Sequence, residues 1–414
     1  MNEKGSLALK PIRFKNICFL GNMGYDWIPA EYNLSKLITQ NILYAMYHSA
    51  KTISELSELL NVPESLIEDE IDYLEDNGLI DCLVNDKYRA NMLIHDFSKE
   101  IYEARHLVLT KCAKIVCEKY VKLIINTSTS ANIGKSGLIY VPNNDINFLL
   151  WAIITSACVY RLNNSQENEL LENYFIKRND GSENIPIITL NLEDKLSFDE
   201  NKFNSFIWHN LTIKPSIGFP FIIQQANSLY DTREIDWSQI FQQEFTDLYE
   251  YISKLKNINP KSNHPFCEGD NQSHQKISDF SSFTQNINVT KTLLSIEKLD
   301  RLRKKGYLVF NDVIKNSEYI NMIVSTIPKE EFLYLLPSIP DDLTELKKQL
   351  CEELYNICKS QYPEHKQELA HAYYKNIFSS GEMITRVLDH LLNVGVLKPL
   401  TDNQKKTVNM MMFI

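Results

Sequence analysis

Residues 62–81 read VPESLIEDEIDYLEDNGLID and have the apolar spacing of a helix that packs on one side only. The apolar residues that recur about once per turn, and so share one face, are Ile67, Ile71 and Leu74. Gly78 follows, and glycine ends helices readily because it adopts positive φ. Seven carboxylates and no Lys or Arg lie within residues 64–76. The stretch therefore predicts a helix with an apolar inner face and an acidic outer face.

Two helices are predicted before this one. Residues 34–50, LSKLITQNILYAMYHSA, carry apolar side chains at helical spacing. The next helix begins after Thr52, whose hydroxyl can cap the backbone while Glu55 reaches back to the cap. It ends before Pro63, which cannot continue a helix. The acidic helix is thus the third of three.

A two-stranded hairpin is predicted after the third helix. Residues 80–84 and 88–94 have strand composition and flank Asn85-Asp86, which suit a two-residue turn. Three helices followed by a hairpin resemble the winged-helix fold. Residues 53–80, ISELSELLNVPESLIEDEIDYLEDNGLI, are similar to the helix-turn-helix of the winged-helix transcription-regulator superfamily. The resemblance covers residues 33–96 and implies transcription regulation, a homodimer and binding to duplex DNA.

The whole chain is predicted to be α+β and helix-rich, with several domains, because 414 residues exceed one ordinary domain. The predicted segments are an N-terminal arm (1–32), a winged-helix domain (33–96), a linking helix (97–125), a mixed α/β middle domain (126–330, with a mobile loop at 257–290) and a helical C-terminal domain (331–414). The middle domain is expected to bind an effector or a partner.

The C-terminal domain holds a possible internal repeat of the first module. A shift of 317 residues places Ile67 on Ile384, Ile71 on Leu388, Leu74 on Leu391 and Gly78 on Gly395. In this alignment the last 17 residues, KPLTDNQKKTVNMMMFI, form a second wing. Two unrelated amphipathic helices can align equally well, so a second winged helix and an ordinary helical domain both stay open.

Composition limits the function classes. A net charge of −10 argues against a general affinity for nucleic acid, since clustered Lys and Arg drive phosphate binding. The most apolar stretch, residues 146–160, is shorter than the roughly 20 residues that a membrane span needs. Eight cysteines without a CxxC pair are typical of reduced thiols. We therefore predict a cytoplasmic protein without a membrane partner.

The charge of the third helix argues against its use as a DNA reader. Residues 33–96 hold 4 Lys or Arg and 12 Asp or Glu, a net of −8, and phosphates would repel this helix. Any DNA contact is therefore predicted through basic residues elsewhere. These are Lys111, Lys114, Lys119, Arg301, Arg303, Lys304, Lys305, Arg386, Lys398, Lys405 and Lys406.

The outward acidic residues have two further interpretations. They are Glu68, Asp69, Asp72, Glu75 and Asp76. In the first interpretation they form a docking face for a basic protein surface, because complementary charge steers partners together. In the second they are a solvated helix face without a partner. A protein-interaction module therefore competes with the transcription regulator.

Enzyme and metal motifs are weak. Residues 132–137, NIGKSG, resemble the end of a phosphate-binding loop, but Thr129 stands where that loop needs its first glycine. Metal-capable residues gather in the predicted mobile loop: His264, Cys267, Glu268, Asp270 and His274. Zinc sites favour tighter pairs than these. We predict no catalytic residue, cofactor or metal, and an enzyme with an unrecognised site in 126–330 remains an alternative.

Overall fold

The structure is a computed structural model. It describes residues 12–22, 34–130, 145–162, 170–178, 181–190, 208–209, 222–226, 247, 250, 285–286, 294–304, 308–314, 317–322, 325–327, 335–401, 404 and 410–413. Within these residues the fold is α+β and helix-rich, as predicted. The motif at 132–137 and the metal-capable loop residues lie outside the described residues.

Contacts divide the chain into two compact units, each assembled from three separate segments. Unit 1 comprises Met1–Leu109, Asn164–Asp199 and Lys348–Ile377. Unit 2 comprises Thr110–Asn163, Glu200–Lys347 and Phe378–Ile414. Each unit therefore depends on contacts between residues far apart in the chain.

The three predicted helices at the start of unit 1 are confirmed. They are α1 Leu37–His48, α2 Ile53–Leu60 and α3 Glu64–Asp76. The capping box is also confirmed: the Glu55 amide donates to Thr52 Oγ1 at 3.1 Å, and the Thr52 amide donates to Glu55 Oε2 at 2.8 Å. These bonds satisfy two backbone donors that the start of α2 would otherwise leave open.

Helix α3 ends at Gly78 in the way that its sequence predicts. Gly78 has φ +66°, its amide donates to the Glu75 carbonyl, and the Leu79 amide donates to the Leu74 carbonyl, both at 2.8 Å. This is the Schellman arrangement, which closes the last turn of a helix. A Cβ on Gly78 would lie 2.5 Å from Ile176 Cγ2, so the close approach also requires glycine.

The predicted hairpin is confirmed as β2 Ile80–Leu83 paired with β3 Lys87–Ala90. Asn85 and Asp86 both have positive φ, at 64° and 51°. Asn and Asp tolerate this conformation better than other non-glycine residues. Because Leu83 pairs with Lys87, the connection has three residues, 84–86, where the sequence predicted a two-residue turn.

A second sheet of unit 1 joins distant segments. Its strands are β1 Phe14–Asn22, β4 Leu93–His95, β5 Ile176–Lys177 and β6 Glu183–Leu190. Strand β6 runs antiparallel to β1 and β5 and parallel to β4. The predicted arm and part of the predicted middle domain therefore pair with the end of the 33–96 segment.

The core of unit 1 lies between α1–α3 and this sheet. Its fully buried members include Leu34, Ile42, Leu43, Met46, Leu56, Ile67, Ile71, Leu74, Leu79, Ile94 and Ile188. The inward residues predicted for α3 are all among them. Burial of one such side chain contributes about 1.5–3 kcal/mol, so this face fixes how α3 is oriented.

The other described elements complete both units. The helices are α4 Lys99–Val116, α5 Lys122–Ser130, α6 Ile146–Leu162, α7 Ile296–Lys304, α8 Asp341–Cys358, α9 Gln367–Lys375 and α10 Gly381–Asn393. A π-helical turn, Cys117–Val121, joins α4 to α5, and 3-10 turns occupy Lys359–Gln361, Glu364–Lys366 and Ile377–Ser379. None of the described helices is long and apolar enough to cross a membrane.

The described residues of unit 2 form two small sheets. Their strands are β7 Trp208–His209, β8 Ile222–Ala226, β9 Gln285–Asn286, β10 Leu308–Ile314, β11 Ser317–Met322, β12 Ser325–Ile327 and β13 Met410–Phe413. One sheet has the order β10-β11-β9 and the other β12-β13-β8-β7. Strand β9 falls within the predicted loop 257–290, whose other residues lie outside the described part of the chain.

The C-terminal repeat alignment agrees with the structure in its helix and differs in its last strand. Gly395 ends α10 with φ +73°, and the helix buries its three aligned apolar residues, as α3 does. Strand β13, however, pairs antiparallel with β8 and parallel with β12. This strand is therefore part of a larger sheet, and not of a hairpin with the chain that follows α10.

Candidate functional site

The outward side of α3 is an exposed row of carboxylates, which we call the acidic face. Its members are Glu68, Asp69, Asp72, Glu75 and Asp76. None of the five side chains forms a hydrogen bond or an ion pair with a described residue. The negative charge of this face is therefore available to a partner.

Glu70 has a different role from the acidic face. Its side chain is largely buried, accepts a hydrogen bond from Thr39 Oγ1 at 2.5 Å, and pairs with Lys36 Nζ at 3.1 Å. Both partners lie at or near α1. This carboxylate therefore ties α3 to α1 and is occupied within the chain.

An apolar side chain stands beside the acidic face. Leu66, on α3 itself, is 52% exposed, and Leu59 on α2 is also exposed. Single exposed apolar residues are common on protein surfaces, but next to a charged row they add contact area to a docking surface.

Two of the predicted basic residues on α7 are paired with carboxylates of unit 2. Arg301 binds Asp247 at 2.9 Å and Glu297 at 2.8 Å, and Lys304 binds Asp300 at 2.8 Å. Asp247 is fully buried, so its pair with Arg301 is part of the fold. Arg303 is exposed on the same helix.

The other basic candidates are divided between paired and exposed positions. Lys114 pairs with Glu118 at 3.8 Å and Lys119 with Asp342, while Lys111 and Lys398 are exposed. Arg386 is buried on α10 and pairs with Glu382 at 3.2 Å, so contact with DNA would require it to leave this site. Lys305, Lys405 and Lys406 lie outside the described residues.

No family profile, curated protein or solved structure matches the chain. Its function therefore has to be inferred from its own residues.

A buried polar chain, which the sequence did not predict, crosses unit 1. His95 Nδ1 and Tyr362 OH share a hydrogen bond of 2.8 Å, and Tyr362 OH lies 3.2 Å from Tyr374 OH. Arg105 Nε donates to Tyr374 OH at 3.2 Å. All four side chains are buried. Their bonds link β4 and α4 to the segment around α9.

Burial decides the protonation of the two tyrosines in this hydrogen-bonded group. It raises the pKa of Tyr362 and that of Tyr374 well above the ordinary tyrosine value, so both phenols stay neutral. The partners are more than 250 residues apart, which is why no local pattern could predict them. Two neutral, hydrogen-bonded and enclosed phenols are suited to holding elements together.

Replacing Tyr362 by phenylalanine is expected to lower the free energy of unfolding by about 1–3 kcal/mol, because two buried polar groups lose a hydrogen-bond partner. Tyr355→Phe is the matched control, since Tyr355 is only half-buried and stacks on His371 through its ring. Urea unfolding of the two variants measures the difference. An equal loss of unfolding free energy in both variants would show that the buried hydrogen bonds of Tyr362 contribute little to stability.

No group of three or more His, Cys, Asp or Glu side chains within the described part of the chain is arranged to hold a metal ion. The seven cysteines found there are free thiols.

Proposed function

We propose that residues 33–96 are a winged-helix unit that binds a basic protein surface through the acidic face of its third helix. The order of three helices and a hairpin supports the fold assignment. The unit then uses α3 for protein contact, where winged-helix regulators are expected to use their third helix for DNA.

The acidic face is the observation that carries this proposal. Its five carboxylates are exposed and have no partner among the described residues, whereas Glu70 on the same helix is paired. A phosphate brought near these carboxylates meets repulsion on the order of 1 kcal/mol for each close charge pair at a wet surface. A lysine or arginine meets attraction of the same size.

The expected partner is a Lys- and Arg-rich segment with an apolar residue near its centre. The cations would pair with carboxylates along α3, and the apolar residue would contact Leu66. Charge complementarity of this kind mainly raises the association rate and selects among partners. Binding should therefore weaken steeply as salt screens the charges.

A DNA-binding regulator is the second candidate. The observation that favours it is that Lys111 on α4 and Lys122 on α5 are both exposed. Both residues follow the acidic face in the sequence. Five other predicted cations, among them Arg301 and Arg386, are already paired with carboxylates of the chain. We therefore rank it below protein docking.

The two candidates differ in what the full chain binds. We expect a labelled Lys- and Arg-rich peptide to bind, and its affinity to fall between about 50 and 200 mM salt. A labelled duplex DNA that carries the same number of charges as the peptide should not bind under the same conditions. Binding of the duplex without binding of the peptide would contradict the docking proposal and favour the regulator.

A further inference from the structure

An exposed row of lysines, which we call the basic stripe, runs along the end of α4, the π-helical turn and the start of α5. Its members are Lys111, Lys114 and Lys122. The opposite side of this helical segment is buried and consists of Cys112, Ala113, Val116, Cys117, Tyr120, Val121 and Ile124. Because exposed and buried positions recur at helical spacing, the three lysines share one surface of unit 2.

One lysine of the basic stripe has a carboxylate neighbour on the same helical segment. Lys114 Nζ lies 3.8 Å from Glu118 Oε1, and both side chains are 61% exposed. An ion pair so open to water contributes little, so Lys114 can exchange Glu118 for another carboxylate. Lys119 differs, since it is partly buried and pairs with Asp342 on α8. We therefore leave Lys119 out of the basic stripe.

The basic stripe matches the acidic face in charge and in length. With a rise of about 1.5 Å per residue, the stripe is about 16 Å long and the acidic face about 12 Å long. An exposed leucine stands at one end of each row: Leu123 follows Lys122 and is 38% exposed, and Leu66 precedes Glu68 and is 52% exposed. If the two helices lie antiparallel, the leucines meet while lysines and carboxylates lie side by side.

We propose that the acidic face of one copy of this chain binds the basic stripe of a second copy. The inference rests on the proposed docking function and names the partner of the same site. Each copy carries one surface of each sign, so two copies can exchange both contacts, or successive copies can each use one. The contact also gives the exposed lysines a role that does not involve nucleic acid.

The strength of this contact should depend on salt in a diagnostic direction. Two short helix faces bury less area than a stable protein interface requires, so the association is weak and needs a high protein concentration. The net charge of −10 would by itself make two copies repel each other most strongly at low salt. Self-association that strengthens at low salt therefore indicates a local contact between opposite charges.

The test is sedimentation velocity of the full chain and of two charge-reversed variants. The first variant carries Glu68→Lys, Asp72→Lys and Glu75→Lys. The second variant carries Lys111→Glu, Lys114→Glu and Lys122→Glu. All six residues are exposed, so the fold should tolerate the changes. We expect the unchanged protein to self-associate at low salt and each variant alone to stay monomeric.

An equimolar mixture of the two variants should associate again, because each contact between them brings opposite charges together. The matched control carries Lys99→Glu, Lys348→Glu and Lys359→Glu, three exposed positions outside the basic stripe. It has the same net charge as the second variant and should self-associate as the unchanged protein does. Recovery in the mixture also shows that neither variant has lost its fold.

The proposal is overturned if the unchanged protein stays monomeric at low salt, or if the control loses self-association as the second variant does. A monomeric protein that still binds the Lys- and Arg-rich peptide would keep the docking function and lose only the second copy as its partner. If the unchanged protein is monomeric and binds duplex DNA, and the second variant does not bind it, the lysines serve nucleic acid and the proposal is equally overturned.

Discussion

Replacing Gly78 by alanine should lower the free energy of unfolding of unit 1 by about 3 kcal/mol, from two additive causes. The first is the positive φ of +66°, which costs an L-residue about 1–2 kcal/mol. The second is the added methyl group, which would lie 2.5 Å from Ile176 Cγ2 on β5. Relief of that contact requires β5 or the end of α3 to move, at an overpacking cost of about 1–3 kcal/mol.

Gly395→Ala is a matched control for this prediction. Gly395 ends α10 with φ +73° and the same pair of backbone hydrogen bonds, but a Cβ there meets nothing within 4 Å. Only the backbone cost of about 1–2 kcal/mol remains. Hydrogen exchange of amides in α3 and α10 measures each loss locally. Similar losses at the two glycines would mean that the contact with Ile176 is not restrictive.

Replacing Lys366 by methionine is expected to stabilise unit 1 by about 2–3 kcal/mol at pH 7. The pKa of Lys366 lies at about 8 in the folded chain against 10.5 for an ordinary lysine. The folded state therefore binds its proton less tightly than the unfolded state does. Methionine keeps the aliphatic packing and removes the buried charge.

The pH dependence of this gain follows from the direction of the shift. Below pH 8 the lysine is charged in both states, so its full cost is present and the gain from methionine is largest. Between pH 8 and about 10.5 the folded state has lost the proton that the unfolded state keeps, so the gain shrinks with rising pH. Thermal unfolding from pH 6 to pH 10.5 checks this, with Lys359→Met as a flat control. A destabilised Lys366→Met variant would contradict the account.

Local patterns predicted the first module well. The capping box at Thr52, the inward face of α3, the end of α3 at Gly78 and the turn at Asn85-Asp86 all depend on residues within one or two turns of each other. Such interactions are readable from spacing because the chain brings the partners together without help from other segments.

Contacts between distant segments could not be predicted in this way. Strand β6 pairs with β1 and β4, although composition alone had assigned the residues of β6 to the middle domain. His95 bonds to Tyr362, and Arg89 repels Lys366, although no sequence pattern connects either pair along the chain. Many pairings satisfy the same composition, and tertiary packing selects one.

The acidic face and the environment of Lys366 differ in the same respect. The acidic face was predicted from the sequence because helical periodicity alone turns its carboxylates outward, although the tie between Glu70 and Lys36 was not. The burial of Lys366 was not predicted, since it looks like an ordinary basic residue until the fold encloses it.

The docking account is tested most directly by two triple variants that change the net charge equally. The first, Glu68→Gln with Asp72→Asn and Glu75→Gln, neutralises one stripe of the acidic face. The second, Glu103→Gln with Glu172→Gln and Asp341→Asn, removes three exposed carboxylates elsewhere. The measurement is the dissociation constant of the full chain for a Lys- and Arg-rich peptide at low salt.

We expect the first variant to bind the peptide about tenfold or more weakly, because three close charge pairs at about 0.5 kcal/mol each are lost. The second should bind almost as tightly as the unchanged protein. Equal weakening in both variants would show that net charge alone attracts the peptide, and no weakening in the first would remove the acidic face from the function of this protein.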